Sequence, residues 1–556
     1  MKRAEYRKEP RGYGRILVLL LCAGFIYWGL TRWQAGKETQ ESQPATSQPA
    51  AEEQSREEGK QPTKRNEGAQ EKIYRLADGQ IETSRGSYAL SQTAELWADG
   101  KKSGEAIGNY LTGQEAELEK NAAGEVTKIS VQGSLEKPDK IRVLLSNGAG
   151  GYNHASLTVS CDSDFWTLRA GQIQTYPAGS SVTLGEEEET VRTCFYAASE
   201  KGKFTLTAGE AGTHTYYGSL EAAPGSEGYT VINEVDLETY LCGVVPSEMP
   251  ESYGVEAAKA QAVCARSYAC SQWKSSTKFA VYGAHLDNTV SSQCYNGAAE
   301  PGAASEGVKA TWGQVLTFQD AIIPANYFST SCGWTAAAAD VWSGTDSLTY
   351  LSAKAQYTEG SYGDLSREEE FHAFITDTDV EAYDQESRWF RWSAVITPEQ
   401  IQSGLEAYLS TAASVKVLQD EYFTEEACQS IGTVEDLYVY TRAGSGLATS
   451  LLITGSEAAV KIEGPQVIRQ VLAAARITLS DGEFIGTRSL LPSAFICFEK
   501  TKDTSGELVS VKICGGGYGH GTGLSQTGVR GMVEQGYSYE EILAHYYEGT
   551  TLTDER

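Results

Sequence analysis

Positive charge is scarce along this chain. Its 46 Lys and Arg face 74 Asp and Glu, a formal net charge of -28, and no basic stripe with interleaved aromatics interrupts the acidic composition. Such a field repels phosphate backbones, which argues against nucleic acid as a partner. The cysteines show no CxxC and no regular spacing, which favours small buried side chains over a disulfide framework. Ten of them lie beyond residue 33, at 161, 194, 242, 264, 270, 294, 332, 428, 497 and 514. They read as small buried apolar side chains, with Cys161 and Cys194 the first pair to test for a disulfide. Internal repeats are absent too, and 556 residues exceed one ordinary core, so two or more folded units are expected.

Long apolar runs are equally rare, with one exception. The 16 residues ILVLLLCAGFIYWGLT, Ile16 to Thr31, carry no charge and follow Lys2, Arg3, Arg7, Lys8, Arg11 and Arg15. The run falls short of the roughly 20 residues that span a bilayer, but Arg15 and Arg32 can snorkel, and Tyr27, Trp28 and Trp33 suit an interface. No A-x-A site follows it, which favours an uncleaved anchor over a signal peptide. The expected order is a basic cytoplasmic tail over 1–15 and a single-pass transmembrane anchor over 16–33, with the bulk of the chain extracytoplasmic. A polar tether over 34–72 is too poor in aliphatic residues to order itself, and a small extension of undeclared role covers 73–140.

Beyond it, IRVLL (141–145), ASLTVS (155–160), KFTLTA (203–208) and YTVINEV (229–235) are short β-branched runs bounded by Gly, Ser or Asn, the pattern of strands. Residues 254–272 switch to helix formers, with Ala257, Ala258, Ala262, Ala265 and Ala269 forming a stripe that permits close packing on a sheet. Further on, Ser366-Arg-Glu-Glu369 and Thr397-Pro-Glu-Gln400 read as capping boxes. LYVYTRAGSGLATSLLIT reads as a hairpin around Gly444-Ser445-Gly446, and GPQVIRQVLAA as a Pro-started helix. Strand and helix are segregated rather than alternating, so the expected class is α+β. The mixed, loop-rich core covers 141–357 and 490–556, is β-rich in its N-terminal portion, and carries an inserted α+β subdomain over about 358–489.

One carboxylate, Glu248, stands between two prolines in LCGVVPSEMPESYGVEAAKAQAVCARSY, ahead of the predicted helix. A carboxyl in a partly apolar niche, here Val244, Val245, Pro246, Met249 and Pro250, can keep a proton near neutral pH and deliver it to a glycosidic oxygen. The plain alternative is an acid that neutralises a helix entrance. Three Gly- and Ser-rich patches follow: SSQCYNG at 291–297, ANYFSTSCGWTAAAADVW at 325–342, and CGGGYGHGTGLSQTGVRGMVEQGYSYEEILAHYYEGTTL at 514–552. In the last, seven glycines from Gly515 to Gly528 let the backbone approach a ligand and aim His520, Ser525 and Gln526 at it. No Lys follows GGGYGHGTG, so a phosphate cradle is discarded.

Ordinary glycoside hydrolysis needs a second carboxylate. The nearest candidate, Asp340, follows an alanine run that reads as the start of a packed helix, and the Gly- and Ser-rich stretches otherwise present Ser, Thr, Tyr, Gln and His. One glycan reaction avoids this requirement: the sugar's own C6 hydroxyl attacks the anomeric carbon, and a single Glu is acid to the leaving oxygen and base to that hydroxyl. A rival reading pairs Cys332 with His520 in a cysteine peptidase. Arg266, on the helix after Glu248, could orient substrate or Glu248, or form a surface salt bridge.

These motifs, in this order, resemble the signatures of the stage II sporulation protein D family and its related amidase enhancers, over roughly 141–556 and most closely over 230–350 and 510–552. The resemblance implies a membrane-anchored lytic transglycosylase acting during forespore engulfment. It would cleave the MurNAc–GlcNAc bond of peptidoglycan strands already stripped of stem peptides by a partner cell-wall amidase, alongside other engulfment membrane proteins. The alternative is a non-catalytic amidase enhancer that grips glycan. The family's catalytic glutamate maps onto Glu248, and its glycine-rich GHG and SQ residues map onto His520, Ser525 and Gln526 in a substrate groove. Ser247, Arg266, Tyr295, Ser329 and Ser331 complete the expected substrate-binding set. Some relatives carry a Cys/His zinc site just before the QxY of the second motif. Here LDNTVSSQCY puts Asp287, Ser291 and Ser292 at the aligned positions, and His285 with Cys294 cannot supply four ligands. No metal and no cofactor are expected.

Overall fold

The computed structural model describes residues 70–555 apart from 134, 186–190, 357–361, 410–414, 420–421, 425–427, 429, 474–475 and 487–488. The expected tail, anchor and nearly all of the tether lie outside the described residues; the strand Glu71–Ala77 begins within the tether's last positions. Among the described residues no helix is long and apolar enough to cross a membrane. The chain divides into two compact units, one holding the described residues up to Glu248 together with Gln272–Glu300, the other Met249–Ser271 and the residues from Pro301 onward.

In the first unit the 73–140 extension is built as a six-stranded sheet. Its order is Gln80–Thr83, Glu71–Ala77, Glu115–Lys120, Val126–Val131, Gly86–Ala98 and Lys101–Lys102, and Gln80–Thr83 pairs again with Gly86–Ala98. The sheet therefore closes on itself, with Ile73, Ile81, Leu96, Val126 and Ile129 buried, which removes open strand edges. The expected strands form next. Lys140–Leu145 lies beside Gly228–Asp236 in an eight-stranded sheet, and Leu157–Cys161 pairs with Phe204–Ala208 in a four-stranded one.

A buried charge cluster ties these pieces. Arg142, 1% exposed, ion-pairs with Glu221 at 2.9 Å and Glu234 at 2.7 Å, and Glu234 also takes Lys72 of the closed sheet at 2.7 Å. Burial alone would raise the Glu234 carboxyl; Lys72 and Arg142 overcome it and hold it down at about 2. The Cys161–Cys194 pair does not form, because the two cysteines sit in different sheets. Both are free, Cys194 bonding the Tyr74 hydroxyl at 3.7 Å and Cys161 that of Ser163 at 3.4 Å.

In the second unit the alanines of the helix Gly254–Ser275 are buried as expected, but at Ala258 the neighbour is a helix rather than a sheet. A Cβ on Gly307 of the helix Ala303–Ala310 would meet the Ala258 Cβ at 2.7 Å. Two five-stranded sheets follow, one built on Trp392–Ile396, Leu508–Gly515 and Ile496–Lys502, the other on Ala459–Glu463, Ala448–Gly455 and Val434–Arg442. The helices Pro398–Leu409 and Pro465–Val471 share their core through Ile401, Leu405 and Ile468.

The class is the mixed α+β one that the segregated pattern predicts. The boundary expected near 490 runs through a sheet, however: Trp392–Ile396 pairs directly with Leu508–Gly515. Thr397 and Gln400 do form a capping box, at 2.9 and 3.4 Å. Ser366 does not. Its hydroxyl donates to Asp364 at 2.7 Å, a local turn that competes for it, and the helix Glu368–Thr376 starts after Arg367.

Candidate functional site

Asp236 ends the strand Gly228–Asp236 and caps the helix Leu237–Glu248, its Oδ1 accepting the Thr239 N–H at 3.0 Å. Glu248 is the last residue of that helix; the next long helix begins only at Gly254. The helix-entrance reading fails for this reason, since a helix C-terminus carries partial negative charge and does not stabilise a carboxylate.

What holds the side chain is the QCYNG loop. The Cys294 N–H donates to Glu248 Oε1 at 2.7 Å. The Cys294 thiol hydrogen-bonds the same carboxylate and is pushed well up, first by burial and then by the Glu248 charge. Ser247 Oγ donates to the Gly243 carbonyl at 2.7 Å and accepts the Asn296 N–H at 3.2 Å. Tyr295, 2% exposed, donates to Asn233 Oδ1 at 2.9 Å and leans on Tyr240, which donates to Gln293 Oε1 at 3.1 Å. Gly243 permits this approach, because a Cβ there would stand 2.3 Å from the Gly297 carbonyl oxygen. Ser247 and Tyr295, expected to bind substrate, thus lock the loop against the helix.

A second acid of this unit, Asp287, adds its charge to the surroundings of Cys294. It is fully buried, and its Oδ2 accepts from Tyr152 at 2.8 Å and Thr289 at 2.6 Å, so it stands closed to solvent. His285, also buried, accepts the Arg142 N–H through Nδ1 at 3.1 Å and is pushed down to about 3 by burial and by Arg142. Among the described residues no three His, Cys, Asp or Glu side chains converge as metal ligands.

The remaining two signatures are laced together in the second unit. Tyr327–Phe328 pairs in parallel with Leu524–Ser525, and Thr330 and Tyr518 exchange backbone bonds at 3.1 and 2.7 Å. Gly523, at φ 80, shows why glycines recur: a Cβ there would lie 2.0 Å from the Asn326 carbonyl oxygen. At the centre sits a residue that sequence reasoning missed, Asp384. It is 1% exposed and accepts the Ser331 N–H at 3.0 Å, the Ser331 hydroxyl at 2.7 Å, the Thr527 hydroxyl at 2.7 Å and the Ser525 hydroxyl. Burial pushes its carboxyl up against the pull of these bonds. The available signal was indirect: Ser331, Ser525 and Thr527 occupy two distant motifs and share one acceptor.

Ser525 also caps the helix Gln526–Glu534, whose first residue, Gln526, is itself mostly buried. The Ser329 hydroxyl pairs with that of Thr330 at 3.2 Å. His520 accepts the Thr522 N–H through Nδ1 at 3.1 Å and donates through Nε2 to the Tyr327 carbonyl at 3.0 Å. Burial, then Arg469, pushes it down to about 4. With both nitrogens engaged and the ring neutral, His520 holds the loop. It cannot serve as base to Cys332, which is itself fully buried with its thiol pushed up to about 12, and the cysteine peptidase reading falls. Arg266 is likewise no surface residue: 1% exposed, it donates to the carbonyls of Gln314 at 3.0 Å and Val308 at 3.4 Å.

Residues 225–318, which contain Glu248, Arg266 and Tyr295, match the family model described as stage II sporulation protein. These residues form a stage II sporulation protein D family domain. A further model, a domain of unknown function, matches residues 336–523 of the chain and takes in Asp384 and His520. The amidase enhancer of Bacillus subtilis (strain 168) is 29% identical over 323 residues, 56% of this chain and 40% of that protein, so the match spans well under half of the enhancer. Stage II sporulation protein D of the same organism is 25% identical over 395 residues, 68% of this chain and 88% of that protein. Its counterpart in Bacillus amyloliquefaciens is 27% identical over 337 residues, 58% of this chain and 76% of that protein.

Proposed function

We propose that this protein is a lytic transglycosylase of peptidoglycan, with Glu248 as its only catalytic carboxyl. In the first half-reaction the Glu248 proton passes to the oxygen leaving MurNAc C1 as the glycosidic bond breaks. In the second, the carboxylate takes the proton of the C6 hydroxyl as that oxygen bonds to C1. The products are a 1,6-anhydro-MurNAc end and a free GlcNAc hydroxyl, no water is consumed, and Glu248 recovers its proton.

The observation that carries the reading is the pinning of a half-buried Glu248 by the Cys294 N–H at 2.7 Å, which fixes one acid in a pre-set orientation. The closure of Asp287 to solvent supports it from the other side, because an acid that water cannot reach cannot activate water. The basic tail and apolar run at 16–33 favour a single-pass anchor with the enzyme outside the membrane. The relatives' names favour sporulation as the setting and an amidase as a partner.

The amidase enhancer relative also favours a second reading, a glycan-gripping module without chemistry. A Glu248→Gln protein separates the two on amidase-treated peptidoglycan. Loss of anhydro-muropeptides with sacculus binding retained supports the enzyme. Wild-type protein that binds sacculi and releases none supports the module.

A further inference from the structure

The strands Ile496–Lys502 and Leu508–Gly515 run antiparallel, and their register sets Cys497 directly opposite Cys514. Residues so paired place their side chains on one face with Cα atoms about 4.5–5.5 Å apart, inside the roughly 4.4–6.8 Å that a disulfide spans. The two thiols hydrogen-bond each other. Cys514 also donates to Glu499 Oε1 at 3.4 Å, whereas the buried thiols of Cys194, Cys264 and Cys294 bond Tyr74, Tyr547 and Glu248 rather than another thiol. Ile496–Lys502 is the edge strand of its sheet, so the small approach that bonding requires meets no strand on the far side.

We propose that Cys497 and Cys514 form a thiol–disulfide exchange site at the base of the glycine loop. Cys514 is the attacking group. The hydrogen bond from Cys497 and the neighbouring Lys512 hold its thiol below the ordinary value against burial and the Glu499 carboxylate, while the same hydrogen bond and burial hold Cys497 above it. The Cys514 thiolate attacks a small disulfide RS–SR, forming a Cys514–SR bond and expelling RS⁻. Cys497 then attacks Cys514 Sγ, expels the second RS⁻, and closes the protein disulfide. The two thiol protons of the cysteines leave on two RSH, so two cysteines are oxidised and one RS–SR is reduced. The new bond closes the hairpin and fixes the strand end from which the chain enters Gly515-Gly516-Gly517, coupling the loop's rigidity to the redox state of its surroundings.

The full chain, first reduced, is incubated with bis(2-hydroxyethyl) disulfide and mapped by mass spectrometry without reduction. The expected product is a cross-linked Cys497–Cys514 peptide two hydrogens lighter, with a Tm raised by about 5 °C and restored by dithiothreitol. Cys497→Ser should halt at a stable hydroxyethyl adduct on Cys514, and Cys514→Ser should leave Cys497 unmodified. A cross-link from Cys514 to Cys332 or Cys428 would overturn the proposal. So would adducts that persist on the wild-type pair, or thiols at 497 and 514 that stay unreacted.

Discussion

Replacing Asp384 by Ala removes the common buried acceptor of three hydroxyls and one N–H. The Ser331 N–H keeps a partner, since it also reaches Ser525 Oγ at 3.1 Å. The buried hydroxyls of Ser331 and Ser525 do not, whereas the half-buried Thr527 can turn to water, and at about 1–2 kcal/mol for each buried donor left without an acceptor the cost is about 3 kcal/mol. Asp384→Asn should be far milder. Its carbonyl can occupy the Oδ1 position, and its amide then faces Ser331 Oγ, which accepts the Gly333 N–H at 3.1 Å and has one lone pair left. One donor is lost and the expected cost is about 1 kcal/mol.

The assay is amide hydrogen exchange of 327–331 and 524–534, which localises the loss to these segments in a chain of two units. Urea unfolding gives the total. An Ala variant within about 1 kcal/mol of wild type, or an Asn variant as damaged as Ala, would refute the role given to this carboxylate.

Glu234→Gln should destabilise the first unit by about 3–5 kcal/mol at pH 7, because it leaves Arg142 buried with one counter-charge fewer. The folded carboxyl titrates at about 2, below its ordinary 4.5, so the stability it contributes is present above about 4.5 and is lost as pH falls towards 2. The difference in melting temperature between wild type and variant should shrink across that window. His520, held at about 4 against an ordinary 6.5, is protonated first in the unfolded chain, so stability should fall as pH drops from 6.5 to 4. His520→Asn should flatten part of that slope in urea midpoints, and an unchanged slope would count against the buried neutral ring. Cys332 should resist iodoacetamide in the native chain, and Cys332→Ser should keep glycan release within about twofold, whereas a peptidase nucleophile would lose both.

Local pattern carried the strands at 141–145, 203–208 and 229–235, the alanine helix, the hairpin around Gly444-Ser445-Gly446 and the Thr397 cap, because each is decided by neighbours in sequence. What escaped it depends on distant contacts. Asp384 lies in AYDQES, which has no periodic or motif signal, yet it joins residues 53 and 141 positions away. The closure of the sheet over 71–131 rests on a second pairing of Gln80–Thr83 that no pattern announces.

Glu248 was legible as a fixed acid, but the proline spacing suggested a helix entrance where the fold has a helix end, since Pro246 is accommodated inside the helix. The substrate-binding expectations for Ser247, Tyr295, Ser331, Ser525 and His520 came from motif positions. Their polar atoms also build the loops, because loops this rich in glycine need side-chain bonds to hold one shape. Arg266 was misread for a related reason: a charge on an alanine helix looks exposed until a second element, here the carbonyls of Val308 and Gln314, closes over it.

The claim that Glu248 works without water is tested most directly by digesting amidase-treated peptidoglycan with the wild-type protein in ¹⁸O-enriched water and weighing the new MurNAc termini. The proposed mechanism predicts 1,6-anhydro ends that carry no label. Reducing ends bearing ¹⁸O would mean that water, activated by some other group, attacks the anomeric carbon.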